Sequence, residues 1–334
     1  MRTLRILILI LAVSIAASAT FPGRNGRIAF VQDNNIYTIN PDGSDLRQLT
    51  TFDGTDGVAS WPSWSADGRS IVFNAFLAPD FFGQLWVMNA DGSNQRLVLA
   101  QTDFSNERPS FSPDGTQIVF SHCSISEGDT CGVYRIGVHG TGLAEITPVT
   151  LGITDRGAIY SWDGRSIAIQ TGGRDGLVST VDVLRSDGSH LRTLTPAAIS
   201  GYRPNWSPDG SRLAFGTHCC NPENQEIWVV DRDGDDLHAL THNGHQYFAG
   251  PHDFDPSWSP DGNFIVFERA APDFSSVGLW ILSLDGHFTR QIATLHHAAP
   301  ARPSFKNSIP GTRRQHLVEI ETGGALPRWG TQPR

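Results

Sequence analysis

The sequence predicts an all-β chain folded as a propeller, and three of its features carry that prediction. First, one phrase recurs. Pro62 to Gly68 reads PSWSADG, Pro109 to Gly115 PSFSPDG, Pro204 to Gly210 PNWSPDG and Pro256 to Gly262 PSWSPDG, with a worn copy, AIYSWDG, at Ala158 to Gly164. Successive copies begin 46 to 52 residues apart, the period of a propeller blade and not of a catalytic motif. Second, each copy is followed by a β-branched and aromatic run, such as Ile71-Val72-Phe73, Ile118-Val119-Phe120, Leu213-Ala214-Phe215 and Ile265-Val266-Phe267, which favours a strand. Third, a further run (Leu85-Trp86-Val87-Met88, Ile227-Trp228-Val229-Val230, Leu279-Trp280-Ile281-Leu282) leads into a second Asp-Gly turn and a short segment ending near Leu-Thr. Asp-Gly between apolar strands is a hairpin signal, because Gly accepts the positive φ and Asp bonds its own backbone. Each repeat is therefore a four-stranded antiparallel meander, and meanders with two apolar faces pack around an axis.

Taken in order, residues 1–19 carry Arg2 and Arg5, an apolar stretch from Ile6 to Ile15 and Ala17-Ser18-Ala19, the pattern of a signal peptide cut before Thr20. No other stretch is long and apolar enough to span a bilayer, so an exported protein, periplasmic or extracellular, is expected. The first unit begins at Gly26 with Arg27-Ile28-Ala29-Phe30 and has three strands, lacking a leading one. The surplus lies at the other end, where Arg302-Pro303-Ser304-Phe305 reads as a leading strand with no strand after it. Joining the two closes the ring and removes open sheet edges. The expected ring is thus six blades over residues 26–305, with 306–334 a tail that takes part in closure on a second reading. In that second reading Leu326-Pro327-Arg328-Trp329-Gly330 closes the ring, and a degenerate seventh blade precedes it.

The repeat, P-x-[WF]-S-x-D-G followed by an apolar strand, an aromatic strand, Asp-Gly and Leu-Thr, resembles the WD40-like, PD40-type blade of TolB-like propellers. The resemblance implies the fold. Function does not follow from it, since such rings serve binding proteins, peptidase accessory domains and some enzymes. The separate N-terminal domain of the TolB family has no counterpart among these residues, so a role in the Tol envelope system does not carry over directly.

Net charge is −9, the wrong sign for a nucleic-acid binder. Four cysteines suit export: Cys123 and Cys131 flank one loop and are disulfide candidates, while Cys219 and Cys220 are adjacent, an awkward spacing for a bond. The Asp-Gly turns fall on one side of the ring and the variable loops on the other, where seven of the 12 histidines collect. On that side the residues before the repeated prolines should ring the channel mouth: Trp61, Arg108, Gly157, Arg203, Asp255 and Arg302. Three arginines there suit a carboxylate or phosphate, or else pair with carboxylates such as Glu107, Asp253 and Asp255 to join the blades.

No nucleophile elbow, HExxH or phosphate-binding loop is present, and nothing calls for a cofactor. The leading expectation is a non-enzymatic module binding a protein or peptide partner of the cell envelope, or a small anion, at the mouth. The competing one is a metal-assisted polysaccharide lyase or hydrolase with His242, His245 and His252 as ligands.

Overall fold

The computed structural model describes residues 23–125, 130–149, 153–173, 178–217, 225–243, 250–295 and 328–331. The leader at 1–19, the segment at Arg302 to Phe305, and Cys219, Cys220 and His245 lie outside the described residues. The strands run in chain order as β1 (Asn25–Gln32), β2 (Asn35–Ile39), β3 (Arg47–Gln48), β4 (Gly57–Trp64), β5 (Ser70–Leu77), β6 (Gly83–Asn89) and β7 (Arg96–Leu99). There follow β8 (Phe104–Phe111), β9 (Gln117–Ser124), β10 (Cys131–Gly137), β11 (Ala144–Glu145), β12 (Ile153–Tyr160), β13 (Ser166–Gly173), β14 (Ser179–Arg185) and β15 (Arg192–Thr193). The last are β16 (Gly201–Trp206), β17 (Arg212–Thr217), β18 (Ile227–Asp231), β19 (His238–Ala239), β20 (His252–Trp258), β21 (Phe264–Ala270), β22 (Val277–Ser283), β23 (Thr289–Leu295) and β24 (Arg328–Thr331).

Among the described residues these strands make five sheets. Four have four strands each, in the orders β24-β1-β2-β3, β4-β5-β6-β7, β16-β17-β18-β19 and β20-β21-β22-β23. The fifth has eight, because the meanders β8 to β11 and β12 to β15 are joined by one parallel bridge between Cys131 and Thr154. The leading strands β4, β8, β12, β16, β20 and β24 touch in a closed circuit, so the sheets stand around a common axis as a propeller.

Apolar clusters fill every space in that circuit. Ile28 and Phe30 pack on Val266 and Leu279, while their neighbours Ala29 and Ile36 pack on Ile71 and Phe73. Val72 and Leu85 meet Ile118 and Phe120, and Val119 and Val133 meet Ile167 and Ile169. Ala168 and Val181 meet Leu213 and Phe215, and Ala214 and Val229 meet Ile265 and Phe267. Successive residues of a strand point to opposite faces. A sheet covered on both faces therefore needs the unbroken apolar runs seen in the sequence, not an alternation.

The Ser-x-Asp-Gly of each copy builds the first turn of its unit. Ser65 Oγ donates to Asp67 Oδ1 (2.7 Å) and accepts from the Ser70 amide (2.9 Å), while Asp67 Oδ1 accepts from the Arg69 amide (3.0 Å). The same set recurs at Ser112 and Asp114, Ser161 and Asp163, Ser207 and Asp209, and Ser259 and Asp261. Partial burial would raise the Asp114 and Asp209 pKa values, but the hydrogen bonds outweigh it and hold both below the ordinary range. The second Asp-Gly turn serves a further purpose. A Cβ at Gly43 would lie 2.7 Å from the Ile292 carbonyl oxygen of the preceding sheet, and one at Gly188 2.5 Å from that of Ile146. Both positions also have φ near +86°, so Gly meets the turn and the close approach at once.

The repeated aromatic ties neighbouring sheets. Trp206 Nε1 donates to the Ile159 carbonyl (3.3 Å), and Trp64 Nε1 to that of Arg328 (3.2 Å). The second of these bonds belongs to the ring closure and corrects one expectation. The strand beside β1 is β24, with Ile28 opposite Trp329 and Ala29 opposite Arg328, so the place expected for Arg302 to Phe305 is taken by Arg328 to Thr331. Thr331 Oγ1 also donates to the Ala66 carbonyl (3.0 Å), latching β24 to the turn after β4. Gly330 of β24 admits the Trp64 ring, which would lie 2.6 Å from a Cβ there.

Gly330→Val should therefore lower stability by about 1–3 kcal/mol, the usual cost of overpacking. A urea titration followed by tryptophan fluorescence measures it. An unchanged midpoint would mean that β24 does not hold the ring.

Candidate functional site

Five of the leading strands, β4, β8, β12, β16 and β20, carry one extra residue against their partners. The register slips between Ser60 and Ser63, Glu107 and Ser110, Arg156 and Ile159, Tyr202 and Asn205, and Phe254 and Ser257. Such a bulge re-aims a side chain. The residue at each bulge is left-handed: Trp61 (φ 49°), Arg108 (53°), Gly157 (64°), Arg203 (52°) and Asp255 (56°). Only glycine takes that conformation freely, and each of the other four costs about 1–2 kcal/mol. Side chains of the preceding unit hold the strained backbone. Asn74 Oδ1 accepts from the Arg108 amide (2.8 Å), and Ser121 Oγ from the Gly157 amide (3.1 Å).

Four of the bulge residues meet at one opening. Trp61, Arg108, Gly157 and Arg203 line one cavity together with Pro62, Pro109 and Arg328. The space encloses only about 20 Å3, room for a single water. Arg302 lies outside the described residues, and Arg328 is the arginine that sequence reasoning missed. The signal was present in the Pro327-Arg328-Trp329 copy of the repeat, where Arg328 takes the position held elsewhere by Ser63, Ser110, Ile159, Asn205 and Ser257.

The charges in the mouth divide unequally. Asp255 is buried and pairs with the Arg203 guanidinium through both carboxylate oxygens, joining sheets as one of the two sequence readings expected. Arg328 lies close enough to feel both partners. Burial pushes its pKa down to about 10, with Asp255 pulling up and Arg203 pushing down. Arg108 stacks its guanidinium 5.2 Å from the centre of the Trp61 ring, which itself meets Phe76 edge-on at 5.6 Å. The other suggested carboxylates are engaged elsewhere: Asp253 holds Arg269 through two bonds (2.6 and 2.8 Å), and Glu107 accepts from Ser105 (2.7 Å). Arg108, Arg203 and Arg328 thus line the mouth together, and Asp255 pairs with Arg203 and acts on Arg328.

The histidines divide differently. His252 is fully buried, its ring stacked 4.5 Å from Phe274, and burial lowers its pKa. His242 is exposed. His122 is also buried, stacked 4.0 Å from Phe104 with Nδ1 2.8 Å from Asn106 Oδ1, and burial lowers its pKa to about 4, so it is neutral at pH 7. Among the described residues no group of three or more His, Cys, Asp or Glu is placed to hold a metal ion. Cys123 and Cys131 sit opposite each other on β9 and β10 and form a disulfide.

A family model described as the TolB beta propeller domain matches residues 62–305. A Tol-Pal system protein TolB of Francisella tularensis subsp. holarctica is 26% identical over 292 residues, 84% of this chain and 63% of that one. The chain therefore spans less than two thirds of the length of that curated relative. Among solved structures, TolB from Acinetobacter baumannii superposes with a TM-score of 0.68 at 17% identity, covering 92% of this chain and 67% of the other. An oligogalacturonate lyase from Vibrio parahaemolyticus gives 0.54 at 13% identity, covering 79% and 77%. Both structural likenesses speak for the fold alone.

Removing one member of a buried pair strands the other. Arg203→Ala should cost on the order of 3 kcal/mol, and adding Asp255→Asn should recover part of it. Thermal unfolding of the two variants is the check. Equal stability of Arg203→Ala and the parent would show that the pair does not join the sheets.

Proposed function

We propose, from the premise that this chain belongs to the TolB β-propeller domain family, that it is an exported, non-enzymatic binding module whose mouth takes a protein segment or a small anionic group. The observation that carries this reading is the convergence of Arg108, Arg203 and Arg328 on one opening answered by Asp255. A carboxylate or phosphate gains paired donors there without deep desolvation of its own. The Trp61 ring beside Arg108 adds an apolar platform for whatever carries the charge. A name that places a relative in the Tol-Pal system supports a partner in the cell envelope, and the leader pattern at 1–19 supports export. Among the described residues no helix is long and apolar enough to cross a membrane.

We count six blades, treating β8 to β11 and β12 to β15 as two units. The circuit of leading strands and the cluster between each pair of neighbours support that count. The lyase reading requires histidine ligands converging around an open position. His252 is buried beside Phe274 and Phe254 and His242 stands in solvent, which favours the binding reading over it.

The test is capture from a native envelope fraction by the parent and by an Arg108→Glu, Arg328→Glu variant. Recovery of the specific partner should fall at least about tenfold, since each lost charge-assisted contact is worth roughly 1.5–3 kcal/mol. An Arg185→Glu control on the turn side should capture normally. Undiminished capture by the mouth variant, with its fold intact by circular dichroism, would remove the mouth as the site.

A further inference from the structure

The wall between β8–β11 and β12–β15 changes character along its length. At the turn end it is apolar, with Ile167, Leu184 and Tyr160 buried against the preceding unit. At the loop end it becomes acidic. Register places Asp155 opposite Thr171, Thr171 opposite Thr180, and Ile169 opposite Asp182. Paired residues, and residues two apart on a strand, share a face, so Asp155, Thr171, Thr180 and Asp182 all lie on the side that Ile169 turns toward Val119 and Val133.

Both carboxylates are buried, Asp182 2% and Asp155 9% exposed. Their neighbours are oxygens. Thr171 Oγ1 donates to Asp155 Oδ1 (3.0 Å), the Thr147 hydroxyl also bonds Asp155, and Thr180 Oγ1 donates to Asp182 Oδ2 (3.2 Å). Asp182 Oδ1 is buried with no hydrogen-bond partner. Burial, and less strongly the nearby Asp182 charge, raises the Asp155 pKa. Among the described residues neither Asp forms a salt bridge with Arg, Lys or His. Two buried carboxylates without a cation cost several kcal/mol, whereas Asp253 and Asp255, also buried, each have an arginine.

We propose that Asp155 and Asp182 bind a hard divalent cation, calcium, between the two meanders. An all-oxygen set of carboxylates and hydroxyls, completed by water, suits calcium and offers nothing to a soft metal. The cation would neutralise the pair and engage the otherwise unsatisfied Asp182 Oδ1. Since Thr147 follows β11 and the acids lie on β12 and β14, the ion would pin one meander to the next, independently of what the mouth binds.

The experiment uses the full chain stripped with chelator, then titrated with calcium chloride and read by calorimetry and thermal unfolding. One ion should bind per chain with a Kd on the order of 10⁻⁴ M, as in extracellular modules, and raise the melting temperature by roughly 2–5 °C. In Asp182→Asn the calcium response should vanish, while the stripped variant should melt no lower than the stripped parent, because one buried charge has been removed. No calcium binding by the parent, or an equal response in parent and variant, would overturn the proposal.

Discussion

The whole structure follows from the need to cover sheets that are apolar on both faces. Ile28 and Ala29 are consecutive and both fully buried, yet they belong to the cores on opposite sides of β1. No sheet of this kind is stable in water alone, and a stack of them leaves its end faces bare. A closed circuit leaves none. Closure here falls to four residues at the far end of the chain, Arg328 to Thr331, which supply the leading strand that the first sheet lacks.

That circuit gives the two ends of the ring different freedom. At one end the turns are locked by Ser-Asp hydrogen bonds and by glycines pressed on neighbouring carbonyls, which explains their uniform sequence. At the other end the leading strands approach the axis, and a bulge in each of β4, β8, β12, β16 and β20 throws a left-handed residue into a common space. The backbone strain is stabilised by the preceding unit, as Asn74 does for Arg108. The residue type at the bulge is then free to vary, and here it has become Trp, Arg, Gly, Arg and Asp. A repeated device with a variable side chain makes the mouth the chemically distinctive part of an otherwise periodic molecule.

Much of this was legible in the sequence because periodicity and turn chemistry are local signals. The Asp-Gly turns, the strand runs and the ring of residues before the prolines needed no tertiary information. The Cys123–Cys131 pair was legible too, since both flank one loop. What escaped depended on long-range competition. Two C-terminal segments read as leading strands, and the strand beside β1 is the one that packs Gly330 on Trp64. With that choice went the identity of an arginine at the axis, Arg328 in addition to the expected positions. His252 looked like a ligand in a histidine-rich loop, but its spacing could not reveal that Phe274 and Phe254 stack on it. The Asp155 and Asp182 pairing was likewise invisible, because the two are brought together only by register across β13.

The closed ring is the claim on which the mouth, the bulges and the shared cores all depend. It is tested most directly by placing cysteines at Asn25 and Thr331, which face each other across β1 and β24, and bridging them with a short bismaleimide in the folded protein. The account predicts a crosslink within one chain, formed in high yield and lost in denaturant, that raises the unfolding midpoint. No crosslink, or one formed only between chains, would contradict it.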